Sequence, residues 1–107
     1  MNCGFNKVGF TEDSGEPIYN IVLGGSSVGV VFDRLDGTIY LESISIASYG
    51  DISRIFDCIY EKWEVNRYVL TDLDSLNGLL KGLNKESSRF AIVRKEDKFL
   101  EGVWKVD

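Results

Sequence analysis

The stretch TIYLESISIASYGDISRIFDCIYEKW, Thr38–Trp63, passes from a strand pattern into a helix pattern across a short link. Its strand half has a fault. Strand side chains alternate between faces with period two, so Ile39 and Leu41 share one face while Ile44 and Ile46 share the other. Two arrangements accommodate this. Either an extra residue near Glu42 and Ser43, a β-bulge, keeps one apolar face continuous, or the strand is buried on both faces. The helix half is clear. Ile52, Ile55, Phe56, Ile59, Tyr60 and Trp63 recur at helical spacing and form one apolar stripe, while Asp57, Glu61, Lys62 and Glu64 fall on the wet side. Asp51 or Ser48 is placed to cap the start of this helix and Asn66 to end it.

The remaining elements follow outward from this core. Upstream, residues 1–17 are polar and mixed, with TEDSGEP a turn or loop, and their order is left open. IYNIVL (Ile18 to Leu23) reads as a strand, Gly24 to Ser27 as a tight turn, and VGVVFDR (Val28 to Arg34) as a second strand. Asp36-Gly37 is a hairpin signal, because a two-residue turn wants positive φ there. Downstream, RYVLT (Arg67 to Thr71) reads as a short buried strand. Strand, helix and strand with short links make a crossover, so the two strands run parallel. DLDSLNGLLKGLNKE is a second helix with Leu76, Leu79, Leu80 and Leu83 on its apolar face and Asp72 or Asp74 as cap. Gly78 and Gly82 weaken it by about 1 kcal/mol each relative to Ala. RFAIVR and FLEGVWKV, joined by KEDK, form a C-terminal hairpin whose Phe99, Val103 and Trp104 suit either core or an interface. The expected class is α+β, a mixed and mostly antiparallel sheet with two helices in the order β-β-β-α-β-α-β-β. Residues 1–107 are read as a single domain.

Composition narrows the chemistry. The chain contains no histidine, which removes Ser-His and Cys-His nucleophile systems, histidine-ligated zinc and a histidine pH switch. Cys3 and Cys58 make neither a disulfide framework nor a metal site, and Cys58 reads as a small buried apolar residue of the first helix. No apolar run approaches the roughly 20 residues of a membrane span. The opening MNCGFNKVGF lacks the layout of a signal peptide, so a cytoplasmic location is expected. The net charge of −5 is uneven: residues 1–66 carry ten acids against four bases, and residues 67–107 carry seven acids against eight bases. Acidity argues against binding phosphate backbones by bulk charge. It suits a basic protein partner, mimicry of nucleic acid, or simply a solvated surface that keeps the protein in solution.

In this order and spacing, the chain from about Ile18 onward resembles the GCN5-related N-acetyltransferase (GNAT) fold without its usual N-terminal helices. SVGVVFDRLDGTIYLESISIAS (Ser27 to Ser48) is similar to that family's second hairpin, in which a strand pairs with a bulged successor. In the family, the helix that follows caps the acetyl-CoA diphosphate, and the next strand splays away to admit the pantetheine. The resemblance assigns those roles to Asp51 to Val65 and to Arg67 to Thr71. It makes Glu42, beside the expected bulge, the matching general base. If acetyl-CoA binds, Ile46, Gly50, Asp51, Ile52, Ser53 and Arg54 would hold it. The family's phosphate loop is glycine-rich so that backbone N–H groups reach the diphosphate. Here ASYGDISR offers one glycine, Gly50, followed at once by Asp51, whose carboxylate favours the helix start but repels a phosphate. The family's tyrosine acid, in or just after the second helix, has no counterpart in LLKGLNKESSRF, and Tyr68 does not match its position.

Two functional readings result. In the first, the chain is an acidic protein-binding module, an inhibitor or regulator of the kind phages and mobile elements encode, with no cofactor and no metal. In the second, it is a minimal acetyl-CoA-dependent N-acetyltransferase acting on an amine. A subunit of a homo-oligomer is a third expectation.

Overall fold

The computed structural model describes residues 3–64, 67–72, 76–86, 90–97 and 99–104. Its strands are β1 (Cys3–Phe10), β2 (Pro17–Leu23), β3 (Ser26–Asp33), β4 (Thr38–Glu42), β5 (Arg67–Thr71), β6 (Phe90–Glu96) and β7 (Phe99–Trp104). A 3₁₀ helix, Ile46–Asp51, leads into helix α1 (Ile52–Trp63), and α2 is Leu76–Glu86. All strands form one 7-stranded sheet in the order β1-β2-β3-β4-β5-β7-β6. Only β4 and β5 run parallel, as the strand–helix–strand crossover requires. The expected mixed, mostly antiparallel α+β class is what is observed, with one strand more at the front than the sequence reading gave.

The fault in β4 resolves into a kink. Ile39 and Leu41 are fully buried, Ser43 takes a left-handed φ of 55°, and Ile44 is again fully buried. Beyond the kink the chain stays beside β3, since the Ser45 N–H donates to the Val28 carbonyl at 3.0 Å. Ser43 is thus the extra residue that lets Ile39, Leu41 and Ile44 face the same core. Ile44 fits because β3 has a glycine there: a Cβ on Gly29 would stand 2.5 Å from Ile44 Cδ1.

The helices cover one face of the sheet. Ile52, Ile55, Phe56, Cys58 and Ile59 are the buried residues of α1, with Tyr60 and Trp63 partly buried at its margin. They pack on Ile21, Val31, Leu41, Leu70 and Leu100 from β2, β3, β4, β5 and β7, and Leu79 joins them from α2. Among the described side chains the C-terminal hairpin contributes Leu100; Phe99 and Val103 are only half-buried, and the side chain of Trp104 lies outside those described. Helix α1 ends at Glu64, where φ is 54° and the N–H donates to the Tyr60 carbonyl at 2.7 Å. Asn66, the expected stop, lies outside the described residues, as does Asp74. Gly24 and Gly25, with φ of 59° and 83°, make the tight β2–β3 turn. The β3–β4 turn departs from the Asp36-Gly37 expectation. Leu35 as well as Gly37 has positive φ, because Asp33 Oδ1 accepts from the Leu35 N–H and Asp36 Oδ1 accepts from the Thr38 N–H.

Strand β1 corrects the reading of residues 1–17. It pairs antiparallel with β2 from Cys3 to Phe10. Phe5 turns inward and meets Trp63 edge-on, ring centroids 4.9 Å apart, while Tyr19 meets the same indole at 5.2 Å. Cys3 points the same way and is joined to Cys58 of α1 as a disulfide, Cα atoms 6.5 Å apart. Cys58 is buried as expected, but bonded. Such a bond belongs to an oxidising environment; under reducing conditions the two residues are a pair of facing thiols.

Two outcomes are expected. The cross-link spans 55 positions, which in the chain-entropy picture is worth about 4 kcal/mol. Dithiothreitol should lower Tm by about 10 °C or more, Cys3→Ala should match that loss, and the variant should ignore the reductant; an unchanged wild-type Tm would refute the cross-link. The second concerns Tyr68, fully buried against Phe56, whose pKa is pushed above its ordinary 10.0 by burial and by the Asp57 carboxylate. A raised folded pKa favours the protonated native state. Its contribution is therefore intact below pH 10 and is lost as pH climbs from there towards the folded value. Alkaline melting should show wild type losing stability more steeply above pH 10 than Tyr68→Phe does.

Candidate functional site

The parallel ladder between β4 and β5 is closed over its length, with register pairs running from Thr38 with Arg67 to Glu42 with Thr71. Immediately beyond, the ladder ends: the chain after Ser43 stays beside β3, and Asp72, also left-handed with φ 53°, follows the last residue of β5. A side-chain link crosses the fork at this point: Ser43 Oγ donates to Asp72 Oδ2 at 2.9 Å. Asp72 or Asp74 was expected as the cap of α2; residues 73–75 lie outside the described residues, and one oxygen of Asp72 accepts from Ser43. Glu42, the resemblance's candidate base, ends β4 on the face away from the helices, half-buried and opposite Thr71. Thr71 Oγ1 is buried beside it without a hydrogen-bond partner among the described residues.

Of the residues assigned to a cofactor, Ile46, Gly50 and Asp51 belong to the 3₁₀ helix and Ile52, Ser53 and Arg54 to the first turn of α1. The link is thus a coil of i→i+3 turns rather than an open loop, and α2 packs against it. Asp51 occupies the N-cap position of α1 but makes no side-chain capping bond. Its carboxylate pairs with Arg54 Nη1 at 3.4 Å. Ser48, the other expected cap, is buried, and its N–H donates to the Ser45 carbonyl at 2.9 Å.

A different feature occupies the other end of β4 and β5. Thr38 and Tyr40 of β4, Arg67 and Val69 of β5, and Phe99 and Glu101 of β7 share the face opposite the helices. With Arg34 and Asp36 from the β3–β4 turn and Arg94 from β6 they line a cavity of about 410 Å³. Arg34 stacks over the Tyr40 ring at 4.7 Å and Arg94 over Phe99 at 5.1 Å. Each arginine also meets one carboxylate: Arg34 Nε lies 3.2 Å from Glu16 Oε2, Arg67 Nη2 donates to Glu101 Oε1, and Arg94 Nη2 donates to Glu96 Oε1 at 2.8 Å. That hydrogen bond holds the Arg94 pKa above its ordinary value. Glu16 is itself buried, and its Oε1 has no hydrogen-bond partner among the described residues. Sequence reading did not find this cavity. The outward alternation of Thr38/Tyr40 and Arg67/Val69 was available, but the register that juxtaposes them was not.

The outer edges of the sheet are irregular. On β1 the register shifts between Lys7 and Gly9, and Val8 and Phe10 are each 57% exposed; on β6 it shifts between Ile92 and Arg94, leaving Val93 exposed. Among the described residues no cluster of acidic or cysteine side chains could hold a metal ion, and no helix is long and apolar enough to cross a membrane.

No family model matches the chain, and no curated protein sequence matches it. A solved structure does: the chain is similar to the Campylobacter jejuni N-acetyltransferase PseH, determined in complex with acetyl coenzyme A. The match covers 90% of this chain and 72% of that chain, with a TM-score of 0.53 and 14% sequence identity. At that identity the likeness is one of fold, and the fold is GNAT-like.

Proposed function

We propose that this chain is a small protein-binding module on a GNAT-like scaffold, acting by occupying a partner's surface rather than by acyl transfer. The observation that carries the proposal is the outer strand. Val8 and Phe10 are well exposed there, and Glu12 and Asp13, also exposed, follow in the turn that β1 shares with β2. Apolar side chains beside carboxylates suit a partner segment that is basic with apolar residues interspersed. The corner assigned to acetyl-CoA fits a diphosphate poorly. Asp51 stands at the start of α1 and Asp72 at the fork, so two carboxylates oppose the attraction of a helix N-terminus for an anion. The Ser43–Asp72 bond also ties together the strands that a pantetheine would have to part.

The competing reading, an acetyl-CoA-dependent N-acetyltransferase with Glu42 as base, is favoured by the kink beside Glu42 and by the likeness to PseH.

One experiment with two arms separates them. Acetyl-CoA should leave Tm unchanged and release no thiol with a panel of amines. A rise of several degrees, or thiol release lost in Glu42→Gln, would favour the enzyme. In the second arm, a synthetic peptide of alternating lysine and valine should shift amide resonances of β1 and its turn, more weakly in high salt, and not in Val8→Ser/Phe10→Ser. Shifts scattered over the whole surface, or none, would overturn the binding proposal.

A further inference from the structure

We propose that the cavity on the uncovered face of the sheet is a binding site for a small oxyanion, a phosphate or carboxylate group carried on a flat apolar body. This goes beyond the protein-binding reading and rests on different residues. Arg34, Arg67 and Arg94 come from three separate parts of the chain, yet converge on one cavity of about 410 Å³, within the range of about 300–1,000 Å³ typical of small-molecule sites. Gathering three guanidinium groups is unfavourable unless anions answer them, and Glu16, Glu101 and Glu96 answer their charge. A guanidinium carries about five N–H donors in a planar fork suited to bidentate oxyanions. Among the described residues each of the three makes one ion pair with a carboxylate, so an incoming oxyanion would compete for the fork rather than meet a bare charge.

The acids in the lining are already engaged. Asp36 Oδ1 accepts from the Thr38 N–H in the turn, and Glu101 accepts from Arg67. The apolar part of the ligand is specified by the same arginines. Arg34 lies over the Tyr40 ring and Arg94 over the Phe99 ring, which places two rings and Val69 in the walls. Glu101 then acts as an internal stand-in: an incoming oxyanion would share Arg67 with it.

The test uses the intact oxidised protein and three probes, phenyl phosphate, benzoate and inorganic phosphate, with sodium chloride at matched ionic strength as control. Phenyl phosphate or benzoate should shift the side-chain Nε resonances of Arg34, Arg67 and Arg94 and bind more tightly than inorganic phosphate. The rank of the first two distinguishes a phosphate from a carboxylate head. Arg67→Met and Arg94→Met should each weaken binding by about tenfold or more. Lys81→Met, at an exposed position of α2, should leave binding unchanged. Circular dichroism and Tm verify that each variant is folded; where Arg67→Met, which frees Glu101, fails to fold, Arg67→Met/Glu101→Gln replaces it. No resonance shift with any probe, equal shifts with chloride, or binding that survives both Arg67 and Arg94 variants would overturn the proposal. A peptide response at β1 in the absence of any oxyanion response would sink this inference alone.

Discussion

One extra residue in the central strand sets the geometry of this protein. If β4 kept strict alternation past Leu41, Ile44 would point away from the helices. A left-handed Ser43 turns it back, and Ile44 settles over Gly29 in a space that any Cβ there would contest. A non-glycine residue with positive φ is uncommon and costs about 1 kcal/mol or more. That cost is offset by burying one more isoleucine, worth about 1.5–3 kcal/mol. The kink does more than save a side chain. It releases the chain from β5 at Glu42 and steers it into the 3₁₀ helix that starts α1, so the fork, the crossover and the seating of both helices all stem from it.

Because both helices lie on one face, the two sides of the sheet have different character. The covered face is built from Ile21, Val31, Leu41, Leu70 and Leu100, all fully buried, and is sealed at the β1 end by Trp63 between Phe5 and Tyr19. The opposite face joins Ile18, Phe32, Tyr40, Val69 and Glu101 in register, apolar for most of its width and then charged. Antiparallel sheets tolerate one wet face. Here that face carries rings under guanidinium groups, so its long arginines shield apolar surface with their stems while their charged ends stay accessible.

How much of this the sequence discloses follows from the range of each interaction. Helix α1 was legible because its stripe is a local pattern; β5 and the C-terminal hairpin were legible because apolar runs are bounded by turn residues. The fault in β4 was legible as a choice between a bulge and double burial, and the left-handed Ser43, with Ile44 in the same core cluster as Ile39 and Leu41, selects the bulge. Strand β1 was not legible. Gly4, Asn6, Lys7 and Gly9 dilute its alternation, and on its helix-side face Cys3 and Phe5 are half-buried while Lys7 and Phe10 are exposed. The partners of Cys3 and Phe5, Cys58 and Trp63, are far away in the chain. The Ser43–Asp72 bond was hidden for the same reason: an acid before a helix reads as a cap, and nothing local announces Ser43 as its partner. The cavity depends on cross-strand register alone.

Net charge is a poor guide to the local field in a molecule built this way. The chain is acidic as a whole, and its front half strongly so, which directs attention to basic partners. Yet side chains nearly 30 positions apart or more in sequence bring three guanidinium groups to one concavity on the open face. Within about a Debye length, roughly 8–10 Å at moderate ionic strength, a ligand responds to those groups rather than to the total. The carboxylates of the β1–β2 turn and the arginine-lined cavity are therefore separate electrostatic surfaces of one sheet. The parallel register of β4 and β5 keeps the cavity, between Thr38 and Arg67, at the opposite end of the strand pair from the carboxylate of the fork, Asp72. That spacing keeps the three arginines and their carboxylate partners Glu16, Glu101 and Glu96 apart from the carboxylate of the fork.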